Sequence, residues 1–244
     1  MTPMVPPSSP PDPALFAFYE EEARKYQATL TLEHYMEASD HAHQRKITLE
    51  TFDVIAQARP DIHCFNELLV QYPLGFGKKL GKVVPDNFVV IHPTPLGSLS
   101  NFATALQPAG PFLVLEYVSK HNKRKDYEDN FRRYEKELKV PFYLLSYRDN
   151  QELSLFRMGK TKYLTVKPND AGRLAVPELE LEAAILGGWV RFWFRGELVP
   201  LPGELVRERN AERTARLAER TARLAAEAEL ARLREELARL KGAS

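Results

Sequence analysis

Two carboxylates stand where the sequence otherwise asks for apolar strand: Asp86 in VVPDNFVVI (83–91) and Glu116 in FLVLEYV (112–118). In the second stretch Phe112, Val114, Glu116 and Val118 share one face at period two, and Leu113, Leu115 and Tyr117 the other. This is the pattern of an interior strand covered on both sides. In the first stretch Val84, Asp86, Phe88 and Val90 share a face. An ionised carboxylate in such a setting is costly unless it is paired, hydrogen-bonded or bound to a metal. With the two strands side by side, Asp86 and Glu116 converge, and converging carboxylates repel unless a proton or cation lies between them. Mg²⁺ and Mn²⁺ take oxygen ligands, often a couple of carboxylates with waters and a substrate phosphate. Such an ion makes water nucleophilic and stabilises charge building up on phosphorus. A nearby lysine then positions the water or neutralises the phosphate. The basic run Lys120, Lys123, Arg124 and Lys125 follows Glu116 directly, where it suits contacts to a nucleic-acid backbone. The plainer readings are a structural carboxylate pair satisfied by Arg, Lys or backbone donors, and a solvated basic loop.

The elements that must position these residues are read from periodicity. Residues 1–13 carry six prolines and little to bury, predicting an extended arm. A helix is predicted over 14–27 with Phe16, Tyr19 and Ala23 inward. A second, capped by Ser39 or Asp40, runs to about Ala58 with Ile47, Phe52 and Ile55 inward, and Pro60 closes it. Four strands follow at 62–70, 83–91, 112–118 and 141–147. The first two are joined by the turn-rich LGFGKKLG, and a helix from Lys125 to Leu138 separates the last two. ELSLFRM and KYLTV predict an added edge hairpin. The fold class is α/β: helix, three strands, helix, strand, then extra β structure.

Past Pro200 and Pro202 the chain loses its aromatics and becomes Ala, Leu, Arg and Glu, the composition of a long helix. RTARLAE (213–219) recurs as RTARLAA (220–226). Leu217 and Leu224 nevertheless fall nearly opposite Leu230, Leu233, Leu237 and Leu240, so the apolar stripe changes register. Residues 204–244 are therefore expected to form a charged helical tail with a short coiled coil that makes a homodimer.

The bulk numbers narrow the classes. A length of 244 residues supports one sizeable domain with appendages. A net charge of +1 gives no global pull on a polyanion, so any such preference is local. Cys64 is the only cysteine, which excludes an internal disulfide or a cysteine-based zinc site within one chain. No apolar run of membrane-spanning length and no leader-like N-terminus is present, so a soluble cytoplasmic protein is expected.

P-D, then a strand with E-Y-V-S, then a basic stretch and DYEDNFRRY resembles the Uma-type putative restriction endonuclease family, a branch of the PD-(D/E)xK superfamily. LKVPFYLLSY and ELELEAAILGGWVRFWFRGELVPLP extend the resemblance over about residues 31–203. It implies a restriction-endonuclease-like core, hydrolysis of DNA with Mg²⁺ or Mn²⁺, and Asp86 and Glu116 as metal ligands. The chain departs from the pattern in its lysine. The superfamily position two residues after the glutamate is Val118, and the alternative helical position, four residues after Asp126, is Asn130. Lys120 is the leading replacement, with Lys123 or Lys125 as alternatives. Glu37, His43 and Ser119 are candidates for groups supporting the metal. The scattered histidines do not read as a metal site, and WVRFWF (189–194) reads as core rather than as a base-stacking platform. Two rival readings remain: a binding module that keeps the nuclease fold without cutting, favoured by Val118 and Asn130, and a scaffold whose working part is the helical tail.

Overall fold

The computed structural model describes residues 12–30, 39–75, 79–97, 99–118, 125–147 and 150–242, apart from the side chains of 125–127 and 240–242. The proline-rich arm lies almost entirely outside this range. Helix α1 (Pro13–Gln27) starts behind Asp12, whose carboxylate accepts from the Ala14 N–H at 3.0 Å, with Pro13 at the first position. A missing N–H is harmless there. Tyr19 and Ala23 are buried as expected, but Phe16 is 53% exposed. The helix is tied down one turn later, where Gln71 donates to the Tyr19 carbonyl at 3.2 Å. Helix α2 (Ser39–Ala58) buries Ile47, Phe52 and Ile55 as predicted, and also Gln44, Arg45, Thr48 and Thr51.

The stretches 62–70 and 83–91 are each two strands, not one. The first breaks into β1 (Ile62–Asn66) and β2 (Val70–Pro73), and the second into β3 (Leu80–Val83) and β4 (Asn87–Ile91). At the first break Glu67 takes φ 45°, the left-handed region. At the second, Val84–Pro85–Asp86 interrupts the ladder, and proline has no N–H to give it. The Glu67 N–H donates to the Asp86 carbonyl at 3.2 Å, holding the two breaks together. Val84 is 37% exposed and does not share the buried face of Phe88 and Val90.

Beyond β5 (Phe102–Ala103) come β6 (Leu113–Val118), a π-wound segment (Lys125–Asn130 and Arg133–Leu138), β7 (Phe142–Tyr147), β8 (Glu152–Met158) and β9 (Tyr163–Thr165). A six-stranded mixed sheet runs in the order β1-β4-β6-β7-β8-β9. Strands β6 and β7 are parallel, as a helical crossover requires. The edge hairpin predicted from ELSLFRM and KYLTV is β8–β9, paired antiparallel. Within the central sheet the order is thus α2, three strands, helix and strand, with the β2–β3 hairpin as an excursion into a small sheet β3-β2-β5.

The remaining β structure is more than a hairpin. Strands β10 (Leu174–Val176), β11 (Leu181–Leu186), β12 (Trp189–Phe194) and β13 (Glu197–Leu198) make a separate four-stranded antiparallel sheet. This sheet and α2 cover one face of the central sheet, where Leu113, Leu115 and Tyr117 join Phe52, Ile55, Val190 and Phe192. On the other face Val114 and Val118 pack with Phe88, Tyr134, Tyr143 and the small sheet. Phe112, expected beside Val114, precedes β6 and packs against the first cluster instead. Burial on both faces explains why β6 reads as a continuous apolar run.

Gly81 sits opposite Tyr72 in the β2–β3 pair, and a Cβ there would overlap the Tyr72 ring. That ring is buried and anchored, its hydroxyl donating to Glu137 at 2.6 Å. Gly81→Ala is expected to cost about 1–3 kcal/mol, the usual range for overpacking. Urea denaturation would show it as a lower midpoint at unchanged slope.

Contacts divide the chain into two compact units, 1–199 and 200–244. The second is one helix, α3 (Pro202–Gly242), of 41 residues. Its Leu217, Leu224, Leu230, Leu233 and Leu237 are at least half exposed. No helix among the described residues is long and apolar enough to cross a membrane.

Candidate active site

Strands β4 and β6 are antiparallel neighbours with Asn87 opposite Leu115. That register sets Asp86, just before β4, across from Glu116, and directly opposed residues project to the same side. Both line a cleft of about 480 Å³, together with His41, Lys82, Tyr117, Asn130 and Arg133. The convergence expected from the two strand patterns is therefore present, although Asp86 reaches it from a strand break.

Each carboxylate is held by defined donors. Asp86 Oδ2 accepts the backbone N–H of Tyr117 at 2.7 Å, and Oδ1 accepts Arg45 Nη1 at 3.2 Å. The same guanidinium nitrogen lies 2.7 Å from Glu67 Oε1. Arg45 is buried because α2 turns it inward beside Thr48, whose hydroxyl lies 2.6 Å from that of Tyr117. Glu116, only 5% exposed, has Oε1 accepting from Asn130 Nδ2 at 3.2 Å and from the Tyr134 hydroxyl at 2.6 Å. Burial, reinforced by the Glu116 charge, pushes the Tyr134 phenol well above its ordinary pKa. Burial does the same to Tyr117. Both therefore remain protonated across the neutral range, so Tyr134 is a permanent donor to the carboxylate.

The donor set suits a hard divalent cation, since it consists of carboxylate oxygens. A carboxylate has about four lone-pair sites, so the single donor on each Asp86 oxygen does not use up its capacity. Among the described residues, no group of three or more His, Cys, Asp or Glu side chains is placed to hold a metal. An ion bound here would thus complete its shell with waters and phosphate oxygens, as Mg²⁺ commonly does.

The other predicted site residues divide by location. Lys120, Lys123, Arg124, Ser119 and Glu37 lie outside the described residues, and of Lys125 only the backbone is described, at the start of the π-wound segment. His43 is exposed, with its ring centroid 4.4 Å from that of Trp189, and it does not line the cleft. His41, two residues earlier, does.

Sequence reasoning missed Arg45, Glu67, Lys82, His41 and Arg133, and it took Tyr134 for core alone. Two signals were available. Arg45 sits one turn ahead of Thr48 on a helix whose inward face also carries Ile47, Phe52 and Ile55, and a buried tyrosine needs a partner for its hydroxyl.

A family model described as Uma2, Putative restriction endonuclease, matches residues 21–186. The chain belongs to that family. Its structure is similar to a crystal structure of a putative nuclease belonging to DUF820 from Anabaena variabilis ATCC 29413, with 17% sequence identity and a TM-score of 0.44. That match covers 59% of this chain and 75% of the other. No curated protein matches the chain.

Proposed function

We propose that this protein is a divalent-metal-dependent endonuclease that hydrolyses DNA phosphodiester bonds on a restriction-endonuclease-like core. The observation that carries the reading is the convergence of Asp86 and Glu116, from neighbouring strands, in a cleft that also holds Lys82 and Arg133. Family membership supports it.

Asp86 and Glu116 would hold Mg²⁺ or Mn²⁺. Such an ion, when bound, supplies a more acidic water and offsets charge on phosphorus. The protein's part is preorganisation. Asn130 and Tyr134 fix Glu116, while Arg45 and the Tyr117 N–H fix Asp86, so neither carboxylate has to reorient as substrate arrives. The basic run 120–125 would hold the DNA backbone, with Lys120 as the lysine nearest the glutamate in sequence. Hydrolysis breaks one P–O bond of the diester and forms one to the water oxygen. One water proton ends on the departing sugar oxygen and the other goes to solvent.

The test is nicking of supercoiled plasmid with Mg²⁺ or Mn²⁺, with and without a chelator, alongside calorimetric titration of the metal. Nicking that the chelator abolishes supports the reading. One observation favours a second reading: Asn130, at the helical position where the family resemblance calls for a lysine, donates to Glu116 and carries no charge. Metal binding without any nicking would establish that alternative, a binding module that retains the fold.

The exposed leucines of α3 support dimerisation through the tail, which would offer one site to each strand of a duplex. Gel filtration of the intact chain is expected to give a dimer, and a 1–203 truncation a monomer. A monomeric intact chain refutes this.

A further inference from the structure

The sequence lacks a lysine at both positions where the family resemblance asks for one, and the cleft is lined by other basic side chains. A lysine and an arginine line it, Lys82 and Arg133. Lys82 is committed: its ammonium donates to the Glu22 carbonyl at 2.9 Å and to the Glu22 carboxylate at 3.0 Å. Arg45, close by, is engaged by Asp86 and Glu67. Arg133 is half-buried and has no carboxylate partner among the described residues. Its neighbour Arg132, 67% exposed, pairs with Glu137 at 3.5 Å and does not line the cleft.

Local structure fixes where Arg133 stands. Asn130 and Tyr134, on either side of it in the π-wound segment, both donate to Glu116 Oε1. The backbone that carries Arg133 is therefore anchored directly to one of the two site carboxylates. A guanidinium without a carboxylate partner among the described residues, in a cleft lined by carboxylates, has a natural complement in an anionic ligand that enters with its own charge. A planar fork of N–H donors matches the non-bridging oxygens of a phosphodiester bidentately, and its charge does not titrate away.

We propose that Arg133 is the phosphate-binding cation of this site, donating to the non-bridging oxygens of the phosphodiester that lies over Asp86 and Glu116. The assignment deepens the nuclease reading and rests on it for the identity of the reaction, though not for the phosphate contact itself.

The experiment uses the intact chain and compares Arg133→Ala, Arg133→Lys and Arg132→Ala with wild type. Two quantities are read: plasmid nicking in Mg²⁺, and binding of a short fluorescein-labelled duplex in Ca²⁺ as a function of salt. Arg133→Ala is expected to lower nicking about 100-fold, the scale of one lost donor to a reacting oxyanion. It should also reduce the slope of log K against log salt by about 1. Arg133→Lys keeps the charge and should restore the salt slope while recovering only part of the rate, because the fork is lost. Arg132→Ala should match wild type in both. Wild-type nicking and an unchanged slope in Arg133→Ala overturn the proposal. So does an equal loss in the Ala and Lys variants accompanied by a lowered melting temperature, which would mark a structural residue. If wild type itself does not nick, the nuclease reading falls, and the salt slope alone decides the phosphate contact.

Discussion

Glu116→Gln is expected to lower plasmid nicking about 100- to 1,000-fold while leaving the protein folded, the scale of removing one preorganised group from a catalytic site. The substitution is chosen for what it preserves. Both donors to Glu116 Oε1, Asn130 Nδ2 and the Tyr134 hydroxyl, can give their hydrogens to an amide oxygen as well as to a carboxylate. Neither of these donors is orphaned and the side-chain volume is nearly unchanged, so these two hydrogen bonds lose only their charge assistance. What disappears is the negative charge that holds a divalent cation. Calorimetry should show weaker or absent metal binding in step with the lost activity, and near-UV circular dichroism should match wild type. Equal nicking by wild type and Glu116→Gln would show that the activity lies elsewhere.

The second large effect concerns stability. Arg45→Ala is expected to cost about 3–5 kcal/mol, because breaking a buried ion pair leaves a charge without its partner. The Arg45 side chain is 9% exposed and that of Asp86 17%, so water screens neither well. Glu67, at 53%, adds little. The arginine also joins the two strand breaks from the side of α2, so its loss loosens the turn from which Asp86 reaches the cleft. Urea denaturation should show a lower midpoint at unchanged slope. In the double variant Arg45→Met, Asp86→Asn the partly buried Asp86 position no longer carries an unpaired charge, and part of the loss should return. A loss below about 1 kcal/mol in Arg45→Ala would place the pair with solvent-screened surface bridges.

Both effects bear on how far the sequence could be read. Glu116 was visible because six apolar neighbours surround it at strand period, and burial on both faces of β6 produces that signature. The helices were visible for the same reason, since Ile47, Phe52 and Ile55 recur at helical spacing. Asp86 was visible only as an anomaly. Its supposed strand is two strands, and the break at Val84–Pro85–Asp86 looks like continuous strand to any period-two count because only proline interrupts it. The four-stranded sheet β10–β13 was legible as alternation in WVRFWF but not as a separate layer, because alternation reports which face is buried and not against what.

The amino-acid order by itself determined the regular local events: the two N-terminal helices, the interior strand around Glu116 with its two apolar faces, the one long charged helix α3, and two carboxylates in apolar surroundings. These follow from interactions within a few residues of each other, where propensity and periodicity act. The tertiary structure alone decided which groups surround those carboxylates. Arg45 reaches Asp86 from 41 residues away and Tyr134 reaches Glu116 from 18. Tyr117 is linked to Thr48 across 69. Such pairings depend on strand order and on the packing of helices against a sheet. These long-range contacts leave no period in the sequence, so the carboxylates were legible in it and their partners were not.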